Sequence, residues 1–142
     1  LVGSEMCIRD RNFRAQNYVV ERLIYGLNKH GKSLSGSNIL IIGLAYKKNV
    51  ADLRESPALN ITEKILAYNA KATYYDNYIE HAYTLEGRIN RIKTLDNIDK
   101  FDAVLIITNH DDIDYELIEE KAKLIIDTRG IYKEKSDKII KA

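Results

Sequence analysis

The sequence predicts an α/β protein: a three-layer α/β/α fold around a parallel sheet, preceded by the end of a helical segment. Three observations predict it. Short apolar runs recur at Ile39–Leu44, Ala103–Thr108 and Leu124–Ile126 without polar alternation, as in strands covered on both faces. Stretches with helical spacing separate them. Each run also ends in polar residues that suit a turn. Strands alternating with helices give a parallel sheet with helices on both sides. At 142 residues the chain is long enough for one domain with one core.

The first ten residues, LVGSEMCIRD, show neither helical nor strand periodicity. They also lack the basic start and apolar core of a signal peptide. Residues 1–16 are expected to be an unstructured leader, of the kind produced when sequencing-adapter DNA is read through in an assembled gene. Cys7 is the sole cysteine, so no internal disulfide can form, and a reducing, cytoplasmic setting is expected. Cys7 is given no role as a nucleophile.

From Asn17, the residues Val19, Val20, Leu23, Ile24 and Leu27 recur on one helical face. Gly31 suits the helix stop, so residues 17–31 form the end of a helical region and residues 32–142 a second unit. "GKSLSGS" is a turn-rich link. Ile39–Leu44 is the first strand. Ser56-Pro57 starts a helix, with Ser as cap and Pro at the first position, and the helix ends near Asn69-Ala70. Lys71–Tyr75 is the second strand, stopping at Asp76-Asn77. The stretch from Tyr78 to Arg91 has no clear period. Ile92-Lys93 suits a short third strand, and Asp96 a cap for one helical turn before Phe101. Ala103–Thr108 is a buried strand and Asn109–Asp112 a polar loop. Asp114 caps a helix running to about Ala122, and Leu124–Ile126 is the next strand. The polar tail KEKSDKIIKA is expected to fray.

In such sheets ligands sit at the carboxyl ends of the strands. Three polar clusters fall there: Gly43–Arg54, Asn109–Asp112 and Asp127–Arg129. The first lacks both G-x-G-x-x-G and the Walker pattern, so it offers side chains instead of a glycine cradle. Lys47, Lys48 and Arg54 suit a phosphate or carboxylate, Arg with a rigid two-pronged fork. Free N–H groups near Ser56 and Pro57 add partial positive charge. The same charges also suit a solvated loop in which Asp52, Arg54 and Glu55 pair among themselves. Arg129, just after a buried strand, is open to the same two readings. Cations converging on one rim fit a polyanionic small ligand. The formal net charge is +1 without a long basic block, which argues against nucleic acid as the main partner. No apolar stretch has the length of a membrane span. His30, His81 and His110 are scattered, whereas a metal needs three or four ligands within reach, so no metal is expected.

Four blocks carry a resemblance: "YVVERL" at Tyr18–Leu23, "GLAYKKNVADLRESPAL" at Gly43–Leu59, "ITNHDDIDYELI" at Ile107–Ile118 and "IIDTRGIY" at Ile125–Tyr132. Together they resemble the nucleotide-sugar 6-dehydrogenase family over about Tyr18 to Tyr132, most closely its members acting on UDP-N-acetylhexosamines. The most specific block is "LRESPAL" following "G-x-A-Y-K". Ala51 departs from the pattern, which commonly has an acidic residue there.

The resemblance implies a Rossmann-like domain that binds the UDP part of the substrate, at the C-terminal end of a longer homodimeric enzyme. That enzyme oxidises a sugar C6 alcohol to a carboxylate with NAD, which an N-terminal domain binds. By the same resemblance Lys47 and Tyr46 lie near the sugar nucleotide, Arg129 contacts the substrate, and Arg54 reaches toward NAD. The nucleophilic-cysteine motif and the NAD fingerprint are not in this sequence, so no catalytic residue is assigned and the chain by itself is expected to be inactive. A UDP-glucose 6-dehydrogenase and a non-catalytic nucleotide-sugar-binding domain are the competing readings.

Overall fold

A computed structural model describes the backbone of residues 2–142 and the side chains of residues 12–142. In chain order, helix α1 (Val2–Lys29) leads to strand β1 (Asn38–Ile42), helix α2 (Pro57–Ala67) and strand β2 (Lys71–Tyr75). A small hairpin follows, β3 (Tyr83–Thr84) with β4 (Gly87–Arg88), then β5 (Asn90–Arg91) and a 3-10 turn (Ile98–Lys100). The chain closes with β6 (Ala103–Ile106), helix α3 (Tyr115–Lys121), β7 (Ile125–Asp127) and β8 (Ile139–Lys141). The main sheet has the order β5-β2-β1-β6-β7-β8, and every pairing in it is parallel.

β1 shows why the fold has three layers. Successive side chains of a strand point to opposite faces. Ile39 and Ile41 join Leu23 and Leu27 of α1 and Ile61 and Ile65 of α2 on one face. Leu40 and Ile42 join Ile98, Leu95 and Ile118 on the other. All four strand residues are fully buried, hence the unbroken apolar run. α1 lies over the β7–β8 side, where a Cβ on Gly26 would meet the side chains of Ile140 and Leu124. The Arg22 Nε donates to the Lys141 carbonyl at 3.1 Å, tying the helix to the last strand.

The start of α2 follows the sequence closely. Ser56 caps it, its Oγ accepting from the Leu59 amide at 3.4 Å, and Pro57 takes the first position. Asp114 caps α3 through the Leu117 amide at 3.1 Å.

Four expectations are corrected. Residues 2–16 are helical and not an unstructured leader, because α1 begins at Val2; residue 1 lies outside the described residues. Helix extension needs one residue fixed per added hydrogen bond once a nucleus exists. Val19, Val20, Leu23 and Leu27 anchor that nucleus in the core, and no proline interrupts the residues upstream. The tail does not simply fray: Ile139–Lys141 pairs with β7, and Ile140 is buried. The third strand is Asn90–Arg91, two residues before the expected Ile92-Lys93. The 3-10 turn is entered from Asn97, without a side-chain cap from Asp96.

Candidate functional site

Going along the chain, β1 is followed across the sheet by β2 on one side, while β6 lies on its other side. The strand order therefore reverses between β1 and β6, the place where open parallel sheets bind ligands. The loop after β1 begins there with Gly43 (φ 82°). A Cβ at this position would lie 2.0 Å from the Thr108 carbonyl oxygen and 2.7 Å from the Thr108 Cβ. The glycine thus lets the loop cross the end of β6. Its open side is filled by protein, so it cannot serve as a pyrophosphate cradle.

Hydrogen bonds hold the loop in place. Thr108 Oγ1 donates to the Ala45 carbonyl at 2.7 Å, and Ser56 Oγ to the Leu44 carbonyl at 2.6 Å. The Tyr46 amide donates to the Asp52 carbonyl at 2.6 Å, closing the loop on itself. Asp76, buried at the end of β2, accepts the Leu44 and Ala45 amides on Oδ2 at 2.8 and 3.0 Å. Its Oδ1 accepts the Tyr78 amide at 2.8 Å. His110, also fully buried, stands 2.8 Å from Asp76 Oδ2 through Nε2, and its Nδ1 accepts the Asn49 amide at 2.7 Å.

Arg129 is presented by a second built turn. Asp127, 1% exposed, accepts the Arg129 amide on Oδ1 at 2.9 Å. Its Oδ2 accepts the Tyr132 amide at 3.1 Å and the Lys141 ammonium at 2.9 Å. Lys141 also donates to the Tyr132 carbonyl. Burial pushes the Asp127 carboxyl upward, but Lys141 and the amides of Tyr132, Arg129 and Ile131 more than offset this and hold it below the usual aspartate value. The Arg129 Nε donates to the Ile107 carbonyl at 2.6 Å. This fixes the plane of the guanidinium, and its two terminal nitrogens have no partner among the described residues.

Arg129 and Tyr46 share one cleft of about 850 Å³ with Ile107, Thr128, Glu55 and Asn60 on the sheet side. Phe13, Gln16 and Val19 of α1 supply the opposite wall. Tyr46 is 46% exposed. Lys47 is exposed on the same loop but does not line this cleft. Arg54 also lies outside it. Its Nε and Nη2 meet Asp52 Oδ1 and Oδ2 at 3.2 and 3.3 Å, so the pairing within the loop that the sequence left open does form. Hydrogen bonding from Arg54 lowers the Asp52 carboxyl and correspondingly raises the guanidinium. No group of three or more His, Cys, Asp or Glu side chains suited to a metal occurs among the described residues. No helix among them is long and apolar enough to cross a membrane.

Sequence reasoning matched the end of β2 at Tyr75, ran two residues past the ends of β1 and β6, and assigned no role to Asp76 or His110. Each looked like a residue of a polar turn. The available signal was positional: Asp76 directly follows β2, and His110 lies in the loop after β6, the two strands that flank β1. The α1 wall was also missed, since residues before Asn17 were set aside.

The chain is 33% identical over 132 residues to a UDP-N-acetyl-D-mannosamine dehydrogenase of Methanococcus maripaludis, covering 87% of this chain and 29% of that protein. It is 27% identical over 148 residues to a UDP-glucose 6-dehydrogenase of Rhizobium meliloti, covering 94% and 31%. The solved UDP-D-ManNAc dehydrogenase of Pyrococcus horikoshii superposes with a TM-score of 0.72 at 28% identity, covering 90% of this chain and 30% of that one. The chain therefore spans under a third of the length of these relatives. Residues 40–134, from β1 through the Arg129 turn, match the model of the UDP binding domain of the UDP-glucose/GDP-mannose dehydrogenases, and the chain belongs to that family.

Proposed function

We propose that this chain is the substrate-binding part of an NAD-dependent nucleotide-sugar 6-dehydrogenase, and that it holds the UDP portion of a UDP-N-acetylhexosamine. One observation carries the reading. Arg129 and Tyr46, brought from separate strands, face one cleft where the strand order reverses. A guanidinium whose terminal nitrogens have no partner among the described residues fits a pyrophosphate or carboxylate through paired charge-assisted bonds. The Tyr46 ring supplies a flat apolar surface beside it. Lys47 adds positive charge from the same loop and is proposed to approach the substrate when the cleft is filled.

The 33% identity to a mannosamine dehydrogenase favours an N-acetylated sugar. The match to a UDP-glucose enzyme supports UDP-glucose as the second reading. The residues present do not form a dinucleotide cradle, because the open side of Gly43 faces Thr108. NAD is therefore proposed to bind elsewhere in the longer enzyme, with exposed Arg54 as the residue of this chain directed toward it. A homodimeric, cytoplasmic enzyme is part of the same proposal.

Calorimetric titration of the 142-residue chain with UDP, UDP-N-acetylmannosamine, UDP-N-acetylglucosamine and UDP-glucose tests this. The expected result is binding of UDP with Kd below about 1 mM, retained by at least one UDP-sugar, and no NADH formation on adding NAD. Absence of binding by UDP and by all three sugars overturns the reading.

A further inference from the structure

We propose that His110 is a positioning residue for the loop 43–54, holding the loop through the Asn49 amide as an imidazole that carries its proton on Nε2. This rests on the proposed function only in taking that loop as substrate-facing. The geometry itself assigns the tautomer. A backbone amide can only donate, so the Asn49 N–H at 2.7 Å requires an unprotonated Nδ1. The proton then sits on Nε2, which points at Asp76 Oδ2 at 2.8 Å. Asp76 has three further donors, the amides of Leu44, Ala45 and Tyr78, so both its oxygens act as acceptors. A histidine oriented by a carboxylate on one nitrogen has its other nitrogen defined by that contact.

The loop depends on this contact. Tyr46, Lys47, Lys48 and Asn49 are all exposed, so no apolar packing fixes the backbone at its tip. Asn49 also has a φ of 61°, the left-handed region that asparagine tolerates better than most side chains but that still needs support. The support comes from one place. Besides the amide contact, Asn49 Nδ2 donates to Asp111 Oδ2 at 2.7 Å, and Asn49 Oδ1 accepts the Asp111 amide at 3.1 Å. His110 is itself held by two further contacts. The Tyr78 ring lies against it with centroids 4.6 Å apart, and the Tyr115 hydroxyl donates to its carbonyl at 2.8 Å. Asp76, His110 and Asn49 thus link the ends of β2 and β6 to the loop after β1. At zero exposure the imidazole cannot touch a ligand in the cleft, so its effect on binding runs through the loop.

Three readouts on the 142-residue chain test this. Nitrogen NMR of the imidazole is expected to show an unprotonated Nδ1 and a protonated Nε2. His110→Asn keeps an acceptor near the Nδ1 position, whereas His110→Gln keeps a donor near Nε2 and loses that acceptor. Hydrogen exchange at the Asn49 amide is therefore expected to rise at least tenfold in His110→Gln and to stay within about threefold of wild type in His110→Asn, the size expected for one lost hydrogen bond. The amides of Ile41 and Leu105 serve as controls for the intact sheet. UDP affinity should follow the same order, about tenfold weaker in His110→Gln. A proton on Nδ1, or equal Asn49 exchange in the two variants with the controls protected, overturns the proposal. If the wild-type chain does not bind UDP, the proposed function fails, while the tautomer and exchange results still decide the role of His110.

Discussion

Gly43 crosses the backbone of Thr108 at a distance that leaves no room for a side chain on residue 43. A Cβ on Gly43 would stand 2.0 Å from the Thr108 carbonyl oxygen, and the glycine φ of 82° lies in the region side chains avoid. The obstacle is backbone, so no rotamer change relieves it. Gly43→Ala is expected to destabilise the fold by about 2–4 kcal/mol, combining overpacking with backbone strain. A urea unfolding midpoint equal to that of wild type would contradict this contact.

Arg129 is expected to matter for binding more than for folding. Arg129→Lys keeps the charge but loses the fixed fork and the Nε contact to Ile107. UDP binding should weaken by about 1.5–3 kcal/mol, the range for hydrogen bonds to charged groups, with the fold retained and the melting temperature lowered only by the lost bond to Ile107. Titration of wild type and variant side by side is the check, and equal affinities would remove Arg129 from the site.

Lys47 and Arg54 should separate. Lys47→Ala is expected to weaken UDP binding by calorimetry. Arg54→Ala is expected to leave both UDP binding and the unfolding midpoint unchanged, because its partner Asp52 is on the same surface loop and exposed pairs contribute little. Loss of UDP affinity in Arg54→Ala would move that residue into the substrate site.

Asp127 sets an acid limit. Its carboxyl is held below the usual aspartate value in the folded chain, so the unfolded chain binds protons more readily there. The resulting stability is present above the unfolded value of about 3.9 and is lost as pH falls through the lower folded value. Lys141→Met removes the ammonium, whose side chain is 49% exposed, and should cost about 1–2 kcal/mol at neutral pH after allowing for solvent screening. The gap between the two proteins should narrow as pH falls below about 3.9 and close as it passes through the lower folded value of wild type. Urea unfolding at a series of pH values measures this. A gap independent of pH would show that Lys141 acts without its charge contact to Asp127, through packing or its bond to the Tyr132 carbonyl.

The strands and helix starts were legible because their cause is local. Ile39–Ile42 reads as a doubly covered strand from its own side chains, and Ser56-Pro57 announces a helix without reference to the rest of the chain. β8 was not legible: Ile139–Lys141 becomes a strand only because β7 offers an open edge and Asp127 a charge partner. The site divided the same way. Arg129 and Tyr46 could be picked out by their place after strands and by the family resemblance. Asp76 and His110 lie 34 positions apart, and their hydrogen bond exists only after β1 is inserted between β2 and β6. The sequence could show that Lys47 follows a strand but not which way its side chain leaves the loop.

The cross-braced loop also bears on how binding entropy is distributed. Its backbone is already tied at Leu44, Ala45, Tyr46 and Asn49, so a ligand arriving at the rim need not order the main chain. What remains to be ordered is side-chain freedom, which is small for a tyrosine with two rotatable torsions and large for lysine, at about 2 kcal/mol. Tyr46, and Arg129 with its Nε already engaged, should give nearly their full contact energy on binding. Lys47, exposed and outside the cleft, would give up rotamer freedom in the approach proposed for it. The temperature dependence of binding should therefore shift toward a less unfavourable entropy when Lys47 is removed, even as the affinity falls.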